Sequence, residues 1–231
     1  MIKVTNLKKQ YKEAVVLDVE NLEIPKSECF GLVGNNGAGK TTLFRIMLDL
    51  VRATSGQVEI GGTDVSQSEE WKKSTGAYLD EHMLLSYLTP DEYFETLRKI
   101  YGLSEADLQA HLDRFTELFN DEIVGKKKYI RDLSKGNLKK VGIAAALMGN
   151  PEVVFLDEPF ENLDPSSQVR LKKLILREKE ASQITFLISS HDLNHVTEIC
   201  DRIVLLEKGK IIRDLREKAE MMRELEEYFV G

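Results

Sequence analysis

The sequence predicts an α/β chain: a mainly parallel sheet, a small antiparallel β layer beside it and a helical subdomain inserted into it. Three observations carry this. The run Gly34-Asn35-Asn36-Gly37-Ala38-Gly39-Lys40-Thr41-Thr42 fits the pattern GxxxxGK[ST] without a mismatch. It lies between an apolar stretch, Phe30 to Val33, and a helix-like stretch, Leu43 to Leu50, the strand–loop–helix context that a phosphate cradle requires. A second apolar run, Val153 to Leu156, ends on Asp157-Glu158, and strand-like and helix-like segments alternate after it, as in a parallel sheet.

Taken in order, Ile2 to Val4 and Val15 to Leu22 read as strands with alternation, and Ile24 to Ser27 as a turn. Cys29 to Val33 is a buried strand leading into the loop, and Gln57 to Ile60, closed by Gly61-Gly62, is another. From Pro90 the texture becomes helical. Asp91 to Tyr101 and Glu105 to Phe119 place apolar residues at three- and four-residue steps, broken by Gly102-Leu103-Ser104. Lys126 to Lys128 is a solvated face, and Asn137 to Met148 is helical again. Asp164-Pro165 opens a helix as N-cap and first helical residue. Ile184 to Ser189 is a strand, Asp192 to Cys200 a helix, and Arg202 to Leu206 with Lys210 to Ile212 a hairpin about Lys208-Gly209. Glu217 to Phe229 reads as a charged amphipathic helix. The expected organisation is one domain over 1–231: core and β layer from 1–85 and 151–216, helical subdomain 86–150, C-terminal helix 217–231.

Composition narrows the function. The 231 residues are 42% hydrophobic and 31% charged, which fits a globular protein with a substantial core. The longest apolar runs are far too short to span a bilayer, and Met1 leads straight into Ile2-Lys3-Val4-Thr5. The expectation is a cytoplasmic chain, or one that reaches a membrane only by docking. A net charge of −7 argues against a nucleic-acid platform. Two cysteines without CxxC spacing argue against a disulfide framework or structural zinc.

The loop glycines let several backbone N–H groups converge on one anion, and the helix that follows adds the positive end of its dipole. Lys40 is placed to reach β- and γ-phosphates, and the Thr41 hydroxyl to hold Mg²⁺. Asp157 ends its strand where the sheet meets the nucleotide and can hold the same Mg²⁺, and Glu158 beside it can polarise an attacking water. Leu133-Ser134-Lys135-Gly136-Asn137, at the start of a helix, offers a hydroxyl and backbone N–H groups to an anion.

With these residues in order, the chain resembles the nucleotide-binding subunit of an ATP-binding cassette (ABC) transporter over nearly its full length. Gly34 to Thr42 matches Walker A and Val153 to Glu158 matches Walker B; Leu133 to Asn137 resembles the LSGGQ signature. Glu161 to Asp164 resembles the D-loop, and Ser189-Ser190-His191-Asp192 the H-switch. Tyr11 falls where the family places an aromatic that stacks on adenine. Leu-Ser-Lys-Gly further resembles ATPase subunits of the ABC-2 exporter group. The resemblance implies an ATP- and Mg²⁺-dependent ATPase, docked on a separate multi-span permease at the inner face of the cell membrane. It also implies a second copy of the ATPase, closing head-to-tail as a homodimer, so that Ser134, Lys135, Gly136 and Asn137 act on the opposite nucleotide. His191 would sit near the γ-phosphate, linking Glu158 to the opposite D-loop with Asp164. His82, His111 and His195 are read as ordinary core or surface residues.

Two departures stand out. The signature is LSKGN, which keeps Ser134 and Gly136 but adds a charge at Lys135 and shortens the last side chain at Asn137. Aligning Thr75 to Leu79 with the stretch before the Q-loop puts Asp80 where the family has glutamine. Asp80 could ligate Mg²⁺ directly or through water; Glu81 is the alternative if the register slips by one.

Overall fold

The computed structural model describes residues 1–217 and Met221. The expected helix over Glu217 to Phe229 falls outside these, apart from Glu217 and Met221, whose amide donates to the Glu217 carbonyl.

Two sheets organise the chain. Strands β1 (Ile2–Tyr11), β2 (Ala14–Ile24), β4 (Ser55–Ile60) and β5 (Thr63–Asp64) form an antiparallel layer in the order β2-β1-β4-β5. Strands β3 (Cys29–Val33), β6 (Thr75–Tyr78), β7 (Val153–Asp157), β8 (Thr185–Ser190), β9 (Arg202–Glu207) and β10 (Lys210–Leu215) form the second sheet, in the order β10-β9-β3-β8-β7-β6. All its pairings are parallel except β9 with β10. Every residue of β3, β7 and β8 is buried, the mark of strands covered on both faces.

Strand alternation divides the core in two. Phe30, Leu32, Val153 and Phe155 face helix α1 (Lys40–Met47) and the antiparallel layer, with Phe44 set edge-on against Phe155 at 5.4 Å. Cys29, Val33, Val154 and Leu156 face the other helices. These are α2 (Pro90–Tyr101), α3 (Glu105–Asp113), α4 (Thr116–Phe119), α5 (Lys135–Ala146), α6 (Pro165–Ser182) and α7 (Leu193–Ile199). Capping boxes start α2 at Thr89/Glu92 and α3 at Ser104/Asp107. Asp164 and Pro165 start α6 as expected.

Several boundaries differ from the expectations. The helix after the loop begins at Lys40, inside the motif, because Gly39 adopts φ +111 and ends the loop there. The helix expected over Glu105 to Phe119 is two helices. Arg114 and Phe115 donate to carbonyls three residues back, tightening the last turn, and Phe115 is driven fully into the core. The short strands β5 and β6 add to those expected, and β1 extends to Tyr11. Cys29 and Cys200 are free buried thiols with sulfurs 3.7 Å apart. No helix among the described residues is long and apolar enough to cross a membrane.

Candidate nucleotide site

The site forms where β3, β7 and β8 end on the same edge of the parallel sheet. β3 runs out at Val33 into the loop, which closes through the Ala38 amide donating to Asn35 O at 3.0 Å. Gly39 has a backbone geometry that favours glycine, and this aims the first turn of α1 back at the loop. Asn36, Gly37, Ala38, Gly39, Lys40, Thr41 and Thr42 line a cavity of about 410 Å³. Gly34 does not line it, and its carbonyl accepts from Lys40 Nζ at 2.7 Å.

The buried Lys40 ammonium also lies 3.3 Å from Glu158 Oε1. That oxygen is buried and has no hydrogen bond among the described residues. Thr41 Oγ1 donates to Asp157 Oδ2 at 2.5 Å, so the helix start and the strand end share one polar pair. Ser189, at the end of β8, donates to Asp157 Oδ1 and accepts from the Glu158 backbone N–H at 2.9 Å. Burial raises the Asp157 pKa, opposed by the Ser189 and Thr41 hydrogen bonds.

Glu158 sits at φ +48, the left-handed region, which costs a residue with a Cβ about 1–2 kcal/mol. This twist turns its carboxylate off the strand direction. Oε2 meets His191, whose Nδ1 lies at 2.9 Å and whose backbone N–H donates at 3.2 Å. The ring and the backbone of His191 thus hold the same carboxylate oxygen.

These contacts bring Lys40, Thr41, Asp157, Glu158 and His191 together. The remaining expected residues stand around them. Asp80 lines an adjoining cleft with Thr41, Asp157 and Glu158, yet both its oxygens are engaged. Oδ1 accepts from the His82 amide at 2.9 Å, and Oδ2 pairs with Arg45 of α1 at 3.1 Å. Glu81 opens a short 3₁₀ turn that Asp80 caps, and it lines the same cleft. Ser134 caps α5, accepting from the Asn137 amide at 3.2 Å; it and Gly136 do not line the loop cavity, whereas Lys135 lines the adjoining cleft. Asp164 caps α6, and the bonds it accepts from Ser166 and Ser167 hold its carboxyl well below the usual range.

Tyr11 stands half-exposed at the tip of the β1–β2 hairpin, with Lys9 Nζ 4.5 Å over its ring. Tyr11 does not itself line the loop cavity, whose wall on the β2 side is Val15 and Val16, joined by Lys208 from the β9–β10 turn. No local sequence motif marks these three as cavity residues. The alternation of β2 puts Val15 and Val16 in a strand, but nothing local says that the far hairpin folds over it. Lys139 carries no local signal either: buried in α5, it donates to the Glu158 carbonyl at 2.5 Å.

Among the described residues no three His, Cys, Asp or Glu side chains form a metal cage. Thr41 and Asp157 supply two hard oxygens side by side. That donor set suits a magnesium ion, which keeps several waters and completes its shell with phosphate oxygens.

Comparison with known proteins agrees with this geometry. The family model described as "ABC transporter" matches residues 17–161. The lantibiotic transport ATP-binding protein SrtF of Streptococcus pyogenes is 32% identical over 229 residues, covering 99% of this chain and 96% of that protein. The ABC transporter ATP-binding protein sll0415 of Synechocystis sp. is 35% identical over 83% of this chain. The match takes in 54% of that protein, so the chain spans about half the length of some curated relatives. A solved dimeric structure of the ATP-binding cassette MJ0796 in a post-hydrolysis state, bound to ADP and Pi, aligns with TM-score 0.83 and 25% identity. It covers 94% of this chain and 98% of that one.

Proposed function

Since the chain belongs to the ABC transporter family, we propose that it binds and hydrolyses ATP to energise a separate membrane permease, through closure of two cassettes over nucleotide. The observation that carries this reading is the Lys40–Glu158–His191 cluster beside the Thr41–Asp157 pair. The P-loop amides and Lys40 bind the phosphates. Thr41 and Asp157 would hold Mg²⁺, which supplies charge neutralisation at the β- and γ-phosphates. Asp80 would join this set directly or through water, since each of its oxygens accepts one hydrogen bond and keeps a second lone pair. Tyr11 stacks on adenine above the Val15–Val16 wall.

Hydrolysis needs a base beside the attacking water. Glu158 lines the loop cavity, and its Oε1, paired with Lys40 but without a hydrogen bond among the described residues, is suited to accept the water's proton as oxygen bonds to the γ-phosphorus and the bond to ADP breaks. His191 holds the other carboxylate oxygen through its ring Nδ1 and its backbone N–H. Ser134, Lys135, Gly136 and Asn137 act on the nucleotide of a second copy, as does the D-loop with Asp164. The family and the MJ0796 dimer support this head-to-tail arrangement. The permease places the chain at the inner face of the cell membrane.

The test is ATP turnover by purified protein with Mg²⁺. Lys40→Ala should abolish hydrolysis and strongly weaken ATP binding. Glu158→Gln should keep Mg-ATP binding, lose roughly 10²–10⁴-fold in rate and collect as an ATP-bound dimer on gel filtration. Unchanged turnover in either variant would refute the assignment.

A further inference from the structure

Helix α5, capped by Ser134, starts at Lys135, and one turn later it sends Lys139 into the interior. Only 8% of this lysine is exposed. Its Nζ donates to the Glu158 carbonyl at 2.5 Å and lies 3.9 Å from Glu161 Oε2. A buried ammonium is expensive unless it is paired and hydrogen-bonded. Here the hydrogen bond goes to the backbone of the residue read above as the base.

The Glu158 peptide is gripped at each end. Its N–H donates to Ser189 Oγ, and its carbonyl accepts from Lys139 and, at 3.2 Å, from the Glu161 amide. Between these grips the left-handed φ sets the direction of the carboxylate. The Glu161 bond is an ordinary turn closure. Lys139 is the side chain from a different element that fixes how that turn is rotated against the sheet.

We propose that Lys139 is a positioning residue for hydrolysis: by holding the Glu158 carbonyl it keeps the Glu158 carboxylate between Lys40 and His191. The inference rests on the reading of Glu158 as general base. Lys140 provides an internal control. It is a buried lysine on the same helix, but its partner is Glu122 at 3.7 Å, which lines neither the loop cavity nor the adjoining cleft.

The experiment is steady-state ATP hydrolysis against ATP concentration, with ATP binding and melting temperature measured alongside, for Lys139→Met, Lys139→Arg, Lys139→Gln and Lys140→Met. Displacing a catalytic group by an ångström can cost about 10²-fold. Lys139→Met should therefore lower kcat by about tenfold or more, while KM and ATP affinity stay within about twofold. Lys139→Arg and Lys139→Gln keep a donor at that carbonyl and should recover most of the loss, and Lys140→Met should not show the split. In a Glu158→Gln background, followed by single-turnover release of labelled phosphate, Lys139→Met should cost nothing more.

An unchanged kcat in Lys139→Met would overturn the inference. So would a parallel loss of kcat and ATP affinity, Arg and Gln variants as slow as Met, or the same loss without Glu158. Each of these leaves the ATPase reading standing as long as Glu158→Gln is itself inactive. Full hydrolysis by Glu158→Gln would remove both.

Discussion

Protonating His111 should loosen the helical part of the chain from the rest. The ring is buried in α3, 5% exposed. Its Nε2 donates to the Ala144 carbonyl of α5 at 2.9 Å, and its Nδ1 accepts from Arg114 at 2.6 Å. Arg114 reaches on to Glu178 of α6 at 2.8 Å, so one relay joins three helices. A second proton would sit on Nδ1, against the Arg114 guanidinium. Burial first, and then the Arg114 charge, push the His111 pKa from 6.5 down to about 4. With the folded value depressed, the unfolded chain takes up the proton first. The contribution is complete above pH 6.5 and is lost as pH falls towards 4. Linkage over that window makes the loss about 2 kcal/mol at pH 5, a sizeable part of the roughly 5–15 kcal/mol that holds a typical domain together. The assay is urea unfolding at pH 7.5 and pH 5 for wild type and His111→Gln, which keeps a donor for Ala144 but does not titrate. Burial also raises the Glu28 and Asp157 pKa values and lowers that of His195, but these groups are common to both proteins. The stability gap between the two should therefore shift by about 2 kcal/mol in favour of the variant at pH 5. Parallel stability at both pH values would refute the assigned relay.

Two further outcomes are expected. Tyr11→Ala should raise KM for ATP with little change in saturated rate, the stack being worth roughly 1–3 kcal/mol in both ground and transition states; an unchanged KM would move the adenine platform to the Val15–Val16 wall alone. Asp80→Gln should keep ATPase activity but alter its Mg²⁺ dependence, and Asp80→Ala should lose coupling to the permease more than ATP binding. Identical Mg²⁺ titrations for wild type and both variants, with coupling intact, would leave the Arg45–Asp80 pair as a structural contact only.

Much of this site is legible in the sequence because its chemistry is local. A glycine-rich loop needs its glycines adjacent, and Asp157 and Glu158 follow directly on the strand that carries them. Lys139, Lys208 and the Arg45–Asp80 pair were not legible. Each depends on which distant element folds against it, and a lysine in a helix or turn reads as a solvated charge until burial is known. The same holds for Cys29 and Cys200: their spacing says nothing of contact, yet a shared parallel core brings the sulfurs together. The break between α3 and α4 was hidden because the apolar steps continue across it. Tertiary demand on Phe115 and Arg114, rather than helix propensity, ends the helix there.

The turn at Lys208-Gly209 has a consequence that reaches both sides of the loop cavity. The Gly209 amide donates to Ala38 O of the phosphate loop, and its carbonyl accepts from the Asp18 amide of β2, both at 2.8 Å. One residue thus acts as a rivet between two plates, the parallel sheet that leads into the phosphate loop and the antiparallel layer that supplies the Val15–Val16 wall. With φ +79 and a Cβ position only 2.5 Å from Val16 O, a larger residue at 209 would prise the plates apart. The gap between the Val15–Val16 wall and the phosphate loop is therefore gauged by backbone, and a lesion at 209 would be felt as a change in the length of the cavity itself.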